Sequence, residues 1–155
     1  MKEQLIADYA SGPVQLSELV RGMSAEELHA TPIKGTWSTH QVICHLADAE
    51  LVYSDRMKRV IAEDEPSFFG MDPNQFAERL AYDSRATQTE LETIVTIRSH
   101  VLSILKTLEP QDFQRRGTHR VDGPLTLEEL LRRITNHIPH HMEFIRDKQN
   151  ALRTR

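Results

Sequence analysis

The chain predicts an all-α fold, a four-helix bundle with one or two long crossover connections. Three observations carry this expectation. Apolar residues recur at helical spacing through four long stretches, nearly the whole chain. Ser, Thr and Pro-Gly signals sit at the borders of those stretches. No low-complexity run, repeat or linker divides the 155 residues, so they are read as one domain over 1–155, long enough to bury a core.

Leu5, Ile6, Tyr9, Val14, Leu16, Leu19 and Val20 define a first helix over residues 3–22, with an irregularity at Gly12-Pro13. Ser24 with Glu27 has the form of a capping box and opens one short turn. Residues 31–36 are a loop, and Ser38 caps a long second helix reaching about residue 63. Pro66, Gly70 and Pro73 mark another loop, with a short helix near 75–80. Leu91, Ile94, Val95, Val101, Leu102, Leu105 and Leu108 give a third long helix, stopped by Pro110. Residues 117–124 are turn-rich and allow a small hairpin. Thr126 then starts a fourth helix to about residue 150.

Composition excludes several partners. Nineteen Lys+Arg against 23 Asp+Glu are mixed along the chain, giving a net charge of −4 and no basic stripe for nucleic acid. No apolar run approaches the roughly 18 residues of a membrane span. Glu3 falls where a secretory signal would be cationic, and the single Cys44 permits no internal disulfide. A soluble, cytoplasmic protein acting on a small molecule is the expectation.

Histidine placement carries the chemistry. His137 and His141 lie one turn apart within the apolar arc of the fourth helix, which runs through Leu127, Leu130, Leu131, Ile134, Ile138 and Ile145. The two are about 40° apart on that arc. His45 lies at the margin of the second helix's arc through Val42, Leu46, Ala49, Val52, Tyr53 and Val60. Two readings stand. Each imidazole could be a core histidine hydrogen-bonded to a neighbour. Alternatively, the three could hold a divalent metal and leave positions open for water or substrate, as catalytic centres do. Desolvating two imidazoles together weakens the first, and spacing alone leaves both open.

Other residues have smaller roles in this reading. His140 lies on the polar edge, at the rim of any pocket. His29, His40, His100 and His119 follow no pattern and read as surface or loop residues. Cys44 points about 100° away from His45 and reads as a packed thiol. Pro139 should free a carbonyl near Thr135 and bend the helix. Asp48 is placed to orient a ligand imidazole or relay a proton, or else is a solvated surface carboxylate. Arg56 falls inside the buried arc, so it needs either an internal ion pair or an anionic ligand.

Residues 35–50, GTWSTHQVICHLADAE, resemble the second-helix segment of the DinB/YfiT-like superfamily, G-x-W-S/T followed by H-L-A-D. Residues 136–145, NHIPHHMEFI, resemble its last-helix motif, H-x-x-H-H and then an aliphatic position. AEDEP at 62–66 and LTLEELL at 125–131 are similar to family segments in the same order. The resemblance covers about residues 5–150. It implies a four-helix bundle with a metal held by His45, His137 and His141, commonly zinc or nickel, and frequent homodimers. It also implies either a metal-dependent hydrolase or an S-transferase using a low-molecular-weight thiol. Arg56 matches an arginine of the thiol-transferase branch, while Phe144 stands where that branch often carries another histidine.

The expected function is therefore a metal-dependent enzyme, a thiol S-transferase or hydrolase acting on a small molecule. Asp48, with His140 behind it, is the expected proton-handling group, and Arg56 the expected cofactor contact. The alternative is a non-catalytic metal-binding stress-response module.

Overall fold

Ser24, Ser38 and Thr126 each close a reciprocal capping box, with Glu27, Gln41 and Glu129 as the returning partners. The helix starts expected from those residues are thus made by the hydrogen bonds that define them. The computed structural model describes residues 2–154. Its helices are α1 (Lys2–Val20), α2 (Ala25–His29), α3 (Thr39–Ala62), α4 (Pro73–Arg79), α5 (Thr87–Leu105) and α6 (Leu127–Arg153). Helix α1 runs unbroken through Pro13, and α6 through Pro139. None of the described helices is long and apolar enough to cross a membrane.

The four long helices form the bundle. Both α1 and α3 pack against α5 and α6, so α1 faces α3 across the bundle and α5 faces α6. Two connections therefore cross an end of the bundle, α1 to α3 through α2 and α5 to α6 through a hairpin. The link from α3 to α5 joins neighbours.

A small sheet closes one end. Strand β1 (Ser67–Phe68) pairs in parallel with β2 (Arg116–His119), which forms the expected hairpin with β3 (Gly123–Thr126). Two residues of β1 are too few to give an alternating pattern, so the sequence did not announce this strand. Gly117 makes the approach possible, since a Cβ there would lie 2.5 Å from Phe68 Cε1 and 2.8 Å from the Pro66 carbonyl oxygen. Arg115 ties the sheet to α3 by donating to the carbonyls of Val60 and Glu63 at 2.9 Å each.

Helix α3 departs most from expectation. Every residue from Val42 to Glu50 is buried. Neighbours α2, α4, α5 and α6 enclose it, so it has no solvent face in its first half. The predicted arc found Val42, Leu46, Ala49 and Val60, but Ile43, Ala47, Glu50 and Met57 fill a second buried side. Val52 and Tyr53, assigned to the arc, are only partly buried.

Candidate metal centre

His45 comes from the buried half of α3, and His137 and His141 from successive turns of α6. The packing of α3 on α6 brings the three rings together. Their centroids lie 4.9 Å (His45–His137), 4.8 Å (His45–His141) and 4.6 Å (His137–His141) apart, all edge to face. One ligand-capable nitrogen from each lies within 4.8 Å of the others. His45 Nε2 and His137 Nε2 are 3.1 Å apart. Two imidazoles bound tetrahedrally to one zinc at the usual bond length have nitrogens roughly 3.3 Å apart.

The hydrogen-bond inventory separates the two readings of these histidines. Nδ1 of His45, of His137 and of His141 are all buried without a partner. The 3.1 Å approach of two Nε2 atoms is the hydrogen-bond contact these rings make. Core histidines satisfied by their neighbours would not leave so many nitrogens unmatched. The donor set is instead three convergent, neutral-capable imidazoles, which suits a divalent cation.

Electrostatics point the same way. Burial, followed by the proximity of the other histidines, lowers the His137 pKa to about 3. Burial, with His45 next, lowers His141 to about 4. His45 is also lowered by burial, and Asp48 opposes that shift. All three rings are neutral near pH 7, with lone pairs free of protons. Trp37, from the loop before α3, covers one side of His45 at 5.2 Å between centroids.

Asp48 sits one turn beyond His45 but makes no hydrogen bond to a histidine. Its carboxylate accepts from the Tyr82 hydroxyl at 2.9 Å and from Arg85 Nη1 and Nη2 at 3.1 and 3.0 Å. Arg85 also bonds Glu90 at the start of α5. Asp48 is therefore neither a solvated surface group nor a direct partner of a ligand ring, and it reaches His45 only through its charge. His140 is exposed to solvent and is not among the residues that line the cleft beside His45 and His137. Its ring meets those of His141 (5.3 Å) and Phe144 (4.9 Å).

Arg56 is buried, as its helical phase implied, but has no ion pair among the described residues. Nη2 donates to the Phe69 carbonyl at 2.5 Å, and Nε has no partner. It lines a cleft of about 460 Å³ together with His45, His137 and His119.

Two histidines expected at the surface are buried. His40 is wholly enclosed, with Nε2 2.7 Å from the Tyr82 carbonyl and Nδ1 2.7 Å from the Thr87 hydroxyl. It shares the second buried side of α3 with Cys44, the side that the predicted arc omitted. Cys44 is the packed thiol expected, and burial pushes its pKa up to about 12. His119 is buried on β2 and faces the cleft. No local periodicity marks it, because the strand holding it is fixed by tertiary pairing. His29 and His100 are exposed.

A bundle whose neighbouring helices α3 and α6 bring three imidazoles together presents a site that could hold a metal ion. The chain belongs to the DinB superfamily, whose model matches residues 10–145. It is similar to YfiT of Bacillus subtilis, named a candidate metal-dependent hydrolase, with 26% identity over 153 residues, covering 97% of this chain and 85% of YfiT. Two Oceanobacillus iheyensis proteins with the same kind of name share 28% and 23% identity over 133 residues each. They cover 86% and 85% of this chain, and 77% and 76% of the relatives. The solved YfiT structure superposes with a TM-score of 0.90 at 24% identity, covering 97% of this chain and 87% of that one. It is described as having an unusual four-helix bundle topology. The four-helix bundle protein TT2238 superposes with a TM-score of 0.68 at 19% identity, over 95% of this chain and 99% of its own.

Proposed function

We propose that this chain is a metal-dependent hydrolase of small molecules, with His45, His137 and His141 as the metal ligands. The observation that carries this reading is the convergence of three imidazoles, each with a buried Nδ1 that has no hydrogen-bond partner, beside an open cleft. Three neutral imidazoles add no negative charge, so a divalent ion held there, zinc or nickel, retains the Lewis acidity that lowers the pKa of water or a thiol.

The remaining steps belong to the chain. Rigid packing of α3 on α6 holds the three ligand rings in place without loop closure. Asp48, anchored by Arg85 and Tyr82, fixes the turn of α3 that follows His45 and opposes the loss of basicity that burial imposes on it. His140, exposed beside His141, is the imidazole free to carry a proton between solvent and the site.

The size of the cleft favours a second reading. A water molecule occupies roughly 30 Å³ of liquid, whereas the cleft offers about 460 Å³. That leaves room for a low-molecular-weight thiol as the activated nucleophile, and the same three histidines would then serve an S-transferase.

Elemental analysis of the purified, reconstituted chain beside His137→Ala tests the centre. About one equivalent of transition metal per chain is expected in the parent and little in the variant. Absence of metal from the parent overturns the proposal. Hydrolysis of activated esters and amides, compared with conjugation of monochlorobimane to several thiols, then separates the two reactions.

A further inference from the structure

Arg56 is a buried cation in the cleft beside the histidines that no carboxylate pairs with among the described residues. Its side chain is 5% exposed, and no carboxylate among the described residues lies within ion-pair distance of it. Its Nε is buried without a partner, Nη2 donates to the Phe69 carbonyl, and the Tyr53 hydroxyl lies within hydrogen-bonding reach of the guanidinium. The guanidinium lies 4.9 Å over the Tyr53 ring and 5.7 Å from that of Phe68. Arginine does not escape burial by losing its proton, so an unpaired guanidinium is costly unless an anion joins it. The nearby acid, Asp122, is taken by Arg133 at 2.5 Å.

His119 supplies a second donor. Its Nδ1 accepts the backbone N–H groups of Val121 at 3.3 Å and Asp122 at 3.0 Å. A nitrogen accepting two such bonds carries no proton, so the proton sits on Nε2. That N–H has no partner among the described residues. Gly70 lies opposite, where a Cβ would sit 3.8 Å from both Cε1 and Nε2 of His119. The missing side chain leaves that edge of the ring uncovered. Arg56, His119 and Gly70 all line the cleft that reaches His45 and His137. Of the fixed charges there, Arg133 and Asp122 cancel and Arg56 remains, which suits a monoanion.

We infer that Arg56 and His119 form an oxyanion subsite that binds the carboxylate of the small molecule processed at the three histidines. The reaction rests on the metal centre proposed above; the binding does not. A carboxylate takes two donors, and an unused guanidinium N–H with the His119 Nε2–H offers them from the lining of one cleft, where the Asp122 carboxylate 3.7 Å from His119 Nδ1 is held by Arg133. Substrates with a carboxylate at one end and the reactive bond toward the histidines are the class this cleft selects.

Calorimetric titration of the full chain with benzoate, and with neutral benzamide of the same shape, tests the subsite. Benzoate is expected to bind roughly ten- to a hundredfold more tightly than benzamide. Arg56→Met is expected to abolish that preference, Arg56→Lys to keep part of it, and His119→Phe to weaken benzoate but not benzamide. Equal binding of the two probes, or a preference that survives Arg56→Met, overturns the inference. If Arg56→Met fails to unfold cooperatively, Arg56→Lys and His119→Phe decide instead, and unchanged preference in both overturns it.

A carboxylate can also ligate a metal, so the titration is repeated after chelation, with circular dichroism checking the fold. Preference lost on chelation from a folded chain places benzoate on the histidines and overturns the subsite. Preference retained in a chain that never takes up metal supports the subsite and sinks the hydrolase reading instead.

Discussion

Arg98 Nη1 donates to the carbonyl oxygen of Tyr9 at 2.6 Å, the oxygen that Pro13, four residues on, leaves without its helical donor. Nη2 of the same side chain donates to Ile134 at 2.9 Å, beside the carbonyl at Thr135 that Pro139 frees in α6. Nε and Nη2 also bond Glu50 of α3, at 2.9 and 2.6 Å. One wholly buried guanidinium from α5 thus joins the other three long helices and answers the carbonyl that Pro13 frees in α1. Gly12 makes the space, since a Cβ there would lie 2.5 Å from Arg98 Nη1.

Arg98→Met should therefore destabilise the chain by about 3–5 kcal/mol, because it strands a buried carboxylate and the Tyr9 carbonyl. Adding Glu50→Leu should recover part of that loss by removing the stranded charge. Gly12→Ala should act in the same direction and less severely. Urea unfolding midpoints read all three. A double variant less stable than Arg98→Met would contradict the account.

Metal uptake should raise the melting temperature of the parent chain and leave His137→Ala unmoved. With metal at about a thousand times its dissociation constant the stabilisation is roughly 4 kcal/mol. Thermal melts with zinc, nickel or a chelator measure it. An equal rise in the variant would place the ion elsewhere.

The metal-free chain should weaken in mild acid through its half-buried histidines. His137 and His141 titrate at about 3 and about 4 in the folded chain, against about 6.5 when unfolded. Between those values the unfolded chain takes up protons that the native chain refuses. Stability is therefore lost as pH falls from about 6.5 toward 3, and these two groups have no effect above that window. Denaturant midpoints from pH 8 to 4 should fall less steeply for a His137→Leu, His141→Leu double variant. Parallel curves for the two chains would contradict this.

Asp48→Asn should cost about 1–3 kcal/mol by weakening the Arg85 and Tyr82 bonds, while metal stoichiometry stays at the parent value. Loss of metal with the fold intact would mean that Asp48 reaches a ligand ring after all.

The bundle was legible because its helices bury one-sided apolar faces and begin at side-chain caps, both of which are local in sequence. The pairing of His137 with His141 was legible for the same reason, since one turn of helix puts them on a common face. The addition of His45 needed α3 to dock on α6, which helical phase allows but does not dictate. The buried state of His40, the capture of Asp48 by Arg85 and the use of His119 were decided by tertiary contacts alone. The first half of α3 is enclosed on all sides, so its polar residues cannot be sorted by amphipathicity, and β1 exists only through its pairing with β2. The sequence by itself determined the helices, their caps and the two histidines of α6. Packing decided which third imidazole joins them, which carboxylate is spent on an arginine, and which arginine is left lining the cleft without an acid.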